Sequence, residues 1–169
     1  MAAPASPDAI RDVNTRYHDA AARSYDAKWG VDFGPIGEAQ VLGKVRKALG
    51  PAPGPFARSL EIGAGTGYFS LNMLQAGVVR DATCTDISPG MLGALEANAG
   101  KLGLAVETVA CDAAELPFED ATFDLVLGGR RDHWALMSLA GTRLSRVRAW
   151  RTVRSSAGCG PGPPAGRRG

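Results

Sequence analysis

Apolar positions recur along this chain with two different periods, and the switches between them mark out its elements. Ile10, Val13, Tyr17, Ala21 and Tyr25 return every three or four residues, which predicts an amphipathic helix with a break near Gly30. A second helix is predicted from Pro35 to Leu49, with Val41, Leu42, Val45 and Leu49 inward and Gly50 as its stop. The run Pro51-Ala52-Pro53-Gly54-Pro55 is a stiff connector. Short apolar runs then alternate with helical stripes. Ala57 to Ile62 reads as a buried strand, and Phe69, Met73 and Ala76 keep helical spacing up to Gly77, a helix C-cap. Ala82 to Thr85 is the next strand, followed by Ser88-Pro89 as N-cap and first helical position. Met91 or Leu92, Leu95, Ala99 and Leu102 form the stripe of that helix; Ala105 to Cys111 and Phe123 to Leu127 are a third and a fourth strand. Strands alternating with helices predict an α/β fold around a parallel sheet.

The chemistry gathers where these strands end. Glu61-Ile62-Gly63-Ala64-Gly65-Thr66-Gly67 joins a carboxylate to three alternate glycines, a corner where the backbone turns sharply and leaves a ligand room that a Cβ would take. A dinucleotide fingerprint would need its third glycine at position 68, which is Tyr68, so the spacing points away from a nicotinamide. Asp86 closes the second strand, where an acid can accept from both hydroxyls of a ribose, and Asp112 closes the third. Each aspartate alone reads as a loop or capping residue. Three such features at the carboxyl edge of one sheet favour a ligand site.

From Leu60 to Gly128 the chain resembles class I S-adenosylmethionine-dependent methyltransferases, of the branch that includes the ubiquinone and menaquinone biosynthesis methyltransferases. Ser59 to Gly67 is similar to the first motif of that family and Thr85-Asp86-Ile87-Ser88-Pro89-Gly90-Met91 to the second. Asp112-Ala113-Ala114-Glu115-Leu116-Pro117-Phe118 and then Phe123-Asp124-Leu125-Val126 resemble the third and fourth. The resemblance implies S-adenosylmethionine as cofactor and a small-molecule methyl acceptor. It also implies roles. Glu61 would hold the methionine ammonium, directly or through water, with Gly63, Ala64, Gly65 and Gly67 forming the turn beside it. Asp86 would bind the ribose, Ile87 and Met91 would flank adenine, Asp112 would accept from its amine and the Ala113 amide would donate to its ring. Related enzymes lay an N-terminal segment over the cofactor, so Tyr17 and Tyr25 are candidate lid residues, against a plain core reading. His18 reads as a surface residue.

Charge divides the chain. Residues 1–128 hold 10 Lys plus Arg against 16 Asp plus Glu, a net of −6, whereas residues 129–169 hold nine Arg, no Lys and Asp132 alone, a net of +8. The overall +2 conceals both. Three parts are therefore expected: an N-terminal helical cap and linker over 1–55, a Rossmann-like cofactor core over 56–128, and an Arg/Gly/Pro-rich tail over 129–169, partly helical or disordered. The tail admits three readings. It could be a basic arm on nucleic acid, although its aromatic interleaving is limited to Trp134 and Trp150. It could be a basic amphipathic helix through Met137, Ala140, Leu144 and Val147. The favoured reading is the product of a shifted reading frame in a GC-rich gene, which leaves an incomplete and inactive enzyme. The family sheet runs 3-2-1-4-5-7-6; the four strands found here give 3-2-1-4, with helices on both faces. That leaves the strand over 123–127 at an edge, open to self-association.

The family's acceptor-side motifs are not recognisable after Gly128, so no catalytic residue is assigned, and His133 is the only nearby base. A non-catalytic cofactor-binding fragment and an Arg-rich nucleic-acid-binding protein are the alternatives in other classes. Cys84, Cys111 and Cys159 lack the spacing of a metal site or a disulfide framework. No leader and no membrane span of about 18 apolar residues is read, so a cytoplasmic protein is expected.

Overall fold

A computed structural model describes residues 6–130 and 133–139. Helix α1, Pro7–Ala21, is capped by Ser6, whose hydroxyl accepts from the Ala9 amide at 3.1 Å. A 3₁₀ turn, Ala22–Ser24, leads to the short α2, Tyr25–Trp29, which ends at Gly30 in the left-handed conformation, φ +62°. Helix α3 is Pro35–Leu49, with the predicted limits. The sheet and its crossovers follow: β1 Phe56–Ile62, α4 Tyr68–Gln75, β2 Val79–Asp86, α5 Pro89–Leu102, β3 Glu107–Ala110, β4 Leu125–Arg130 and β5 His133–Leu139. Strand β2 begins three residues before its predicted start, and β3 is shorter than predicted.

The sheet order is β3-β2-β1-β4-β5, with β1 to β4 parallel as expected. Strand β5 runs antiparallel along the outer side of β4. This corrects two expectations. Strand β4 is not an edge, because it pairs with β1 on one side and β5 on the other, so the proposed self-association through 123–127 loses its basis. Residues 133–139 are strand, so Met137 is not on a basic helix: backbone pairing with the open edge of β4 decides the local structure. The remaining tail residues, 140–169, lie outside the described residues.

Helices α3 and α4 pack on one face of the sheet through Val41, Val45, Phe69 and Met73 against Val79, Leu125 and Leu127. Helix α5 packs through Leu92 and Leu95 against Ala82 and Cys84 on that same face. The opposite face, Leu60, Ile62 and Val126, is covered by Leu116, Phe118 and Phe123 from the 111–124 segment. Helices were expected on both faces. Two right-handed crossovers that step in one direction, β1 to β2 to β3, place α4 and α5 on one side. The reverse step from β3 to β4 would place a helix on the other, and that connection contains none.

The N-terminal helix also departs from expectation. Ile10, Val13 and Tyr17, the apolar stripe of that helix, are 51%, 59% and 47% exposed. Helix α1 is held by polar anchors instead, Arg11 on Asp112 and Asp19 on the start of α5.

Candidate functional site

Strand β1 delivers Glu61 and the glycine turn to the carboxyl edge of the sheet, beside the ends of β2 and β3. The turn is tied to β2 by its backbone: the Gly63 and Ala64 amides both donate to the Thr85 carbonyl, at 2.8 and 2.9 Å. Gly63 and Gly65 have φ of +71° and +56°, and a Cβ on either would enter open space with no atom within 4 Å. Of the three glycines of the turn, these two face open space. Gly67 serves packing, since a Cβ there would lie 2.8 Å from the Leu95 side chain. Ala64 likewise points into the apolar cluster around Leu92 and Leu95.

Asp86 sits at the centre of the arrangement. Its Oδ2 accepts from the Gly65 amide at 2.9 Å and its Oδ1 from the Ser88 amide at 2.9 Å. Both oxygens are oriented by backbone, and each keeps a lone pair for a further donor. Asp112, at the end of β3, accepts from the Ala114 amide through Oδ1 at 2.8 Å and from Arg11 Nε through Oδ2 at 2.8 Å. Ile87 and Ala113 are half-buried beside these acids. Met91 is 1% exposed.

Glu61 is wholly buried on the α4 side of the sheet. Its Oε2 accepts from the Ser70 amide at 3.0 Å and the Ser70 hydroxyl at 2.5 Å, whereas Oε1 is buried with no partner. Burial pushes the carboxyl up to about 7, against the opposing pull of the Ser70 hydrogen bonds. The neighbouring Cys84 thiol is pushed up to about 12, chiefly by burial, and is an inert neutral group. An orphaned carboxylate oxygen, an oriented second acid and two glycines over open space fit a ligand with a cationic group and a vicinal diol.

Several contributors carry no sequence signal. Asn98 on α5 donates to Asp26 Oδ2 at 2.7 Å and to the Thr66 carbonyl at 3.3 Å, so it ties α2 to the glycine turn. Asp19 Oδ1 accepts from the Ser88 hydroxyl at 2.5 Å and the Gly90 amide at 2.9 Å, and these bonds lower its pKa. Tyr25 is half-buried, 6.3 Å from the Trp29 ring, while Tyr17 is exposed. His133 opens β5 opposite Arg130. Among the described residues there is no group of three His, Cys, Asp or Glu placed to bind a metal, and no helix is long and apolar enough to cross a membrane. The concavity lined by Leu42, Arg46, Pro53 and Val78 lies at the opposite, amino edge of the strands, away from every candidate residue.

A family model described as a methyltransferase domain matches residues 60–144, just over half of the chain. Malonyl-[acyl-carrier protein] O-methyltransferase of Geobacter sulfurreducens is 32% identical over 124 residues, 73% of this chain and 43% of that protein. The ubiquinone/menaquinone biosynthesis C-methyltransferase of Brucella anthropi is 42% identical over 79 residues, 45% of this chain and 30% of that protein. Among solved structures, phosphoethanolamine N-methyltransferase 2 of Haemonchus contortus, in complex with phosphomonomethylethanolamine and S-adenosylhomocysteine, superposes with a TM-score of 0.56 at 28% identity. It covers 74% of this chain and 29% of that one. The chain thus spans less than half the length of the curated relatives it matches.

Proposed function

Because the chain belongs to the class I S-adenosylmethionine-dependent methyltransferases, we propose that it transfers a methyl group to an oxygen, nitrogen or carbon nucleophile of a small molecule. The observation that carries the reading is Asp86, with both oxygens held by amides of the glycine turn and the α5 cap and turned to the edge where Gly63 and Gly65 face open space. Bound S-adenosylmethionine supplies an activated methyl on its sulfonium. The residues of the chain supply orientation. Asp86 takes the ribose hydroxyls, Asp112 the adenine amine, Ala113 and Ile87 the ring, and Glu61 the methionine ammonium through its unpartnered Oε1. Met91, Ala64 and Gly67 support these groups from below. In-line approach at near-attack distance requires such fixed positioning, which can supply much of the rate.

The division into a cap over 1–55 and a cofactor core that begins at 56 belongs to this proposal, with the core continued past 128 through β5 to Leu139, as does a cytoplasmic location. A second reading, a chain that binds the cofactor without turning over, is favoured by the position of the candidate contacts, which all lie between Glu61 and Ala113. Calorimetric titration with S-adenosylhomocysteine and with NAD tests the first reading. Binding of the former alone is expected, and binding of NAD alone would overturn it. A panel of small acceptors, assayed for S-adenosylhomocysteine formation, separates the two readings. Turnover near 1 per second, ordinary for enzymes, rules out the second.

A further inference from the structure

Arg11 and Asp19 fasten α1 across the site at two points about 12 Å apart along the helix. The two fastenings differ in kind. At the Asp19 end the contact is close and multiple: one carboxylate oxygen accepts from the Ser88 hydroxyl and the Gly90 amide, and a Cβ on Gly90 would lie 2.9 Å from that oxygen. At the Arg11 end Nε donates to Asp112 Oδ2 at 2.8 Å between two partly exposed side chains. The other Asp112 oxygen is already taken by the Ala114 amide. Arg11 also has a second acid in reach on its own helix, Asp8, at 3.3 Å from its Nη1.

We propose that the Arg11–Asp112 ion pair is an autoinhibitory contact: Arg11 occupies the carboxylate that must accept the adenine amine, and cofactor binding releases it toward Asp8. The inference rests on the reading of Asp112 as the adenine acceptor. With a guanidinium on Oδ2 and an amide on Oδ1, Asp112 has the same number of donors as Asp86, but one of them is a full cation that holds Oδ2 more strongly than a neutral amide does. The ligand therefore competes with an intramolecular cation. Release moves the Arg11 end of α1 and leaves the Asp19 end in place, because Ser88 and Gly90 are not ligand contacts.

Titration of S-adenosylhomocysteine into the full chain and into Arg11→Gln, at about 20 mM and about 300 mM salt, tests the idea. The wild type is expected to bind more tightly at high salt, where the partly exposed pair is weakened. Arg11→Gln is expected to bind about two- to fivefold more tightly at low salt and to lose the salt response. Weaker or equal binding by Arg11→Gln would overturn the proposal while leaving the cofactor reading intact; no binding by the wild type would remove both. Hydrogen exchange on the wild type alone gives a second readout. On adding ligand, amides around Arg11 should exchange faster while those around Asp19 stay unchanged, and uniform protection of α1 would also overturn the proposal.

Discussion

Glu61 shows how far one residue can set the behaviour of the site. Its carboxyl, with one oxygen on Ser70 and the other unpartnered, titrates near 7 when folded and near 4.5 when unfolded. Between those values the folded chain retains a proton that the unfolded chain gives up. Its contribution is therefore fully present below about 4.5 and is lost as pH rises through about 7, on the order of 3 kcal/mol in all. Glu61→Gln should abolish this fall. Urea unfolding of both proteins at pH 5 and pH 8 measures it, and equal losses in the two would show that Glu61 does not titrate in this window. Asp86 differs in having an amide donor on each of its oxygens. Asp86→Ala should weaken S-adenosylhomocysteine binding by roughly 1 to 3 kcal/mol, the range for removing a charged acceptor. An unchanged calorimetric affinity would take Asp86 out of the ribose site.

Between elements, the contact that joins β1 to β4 is the informative one. Asp124 Oδ2 accepts from the Ala57 and Arg58 amides at 2.8 and 3.2 Å, and the Asp124 amide donates back to the Arg58 carbonyl. Asp124→Ala leaves two backbone donors without that acceptor, so a loss of about 1 to 3 kcal/mol in unfolding free energy is expected. A loss below about 0.5 kcal/mol would mean that water replaces the carboxylate. Elements of this kind were legible where local chemistry decides them. Helix α3 was readable because Pro35, a stripe including Val41 and Val45, and Gly50 all agree, and α5 because Ser88-Pro89 announces its start. The place of Asp86 was legible because the apolar run that becomes β2 ends there. The rest depended on partners remote in the chain. The exposed stripe of α1 followed from the Arg11 and Asp19 anchors, whose partners lie just after β3 and at the start of α5. Strand β5 was hidden because only the open side of β4 distinguishes it from a helix.

At the scale of the whole molecule, the sheet has two outer strands of different character. Strand β3 is four residues long with half-exposed side chains, a short edge that offers little template for pairing, while β5 closes the side where β4 would otherwise lie open. Ending the chain at Arg130 should expose the backbone of β4 and promote self-association. Light scattering across a concentration series measures this, and a strictly monomeric shortened chain would show that β5 does not protect β4. The order of the strands also has a kinetic consequence. The β1-α4-β2-α5-β3 stretch is assembled from consecutive neighbours, whereas seating β4 against β1 closes a separation of 67 residues between Asp124 and Ala57. Loop closure of that length makes late docking of β4 the slower event. Asp124→Ala should then speed unfolding while leaving the refolding limb of the chevron nearly unchanged. Glu61, Asp86 and Asp112 would meet at one edge before the sheet is complete.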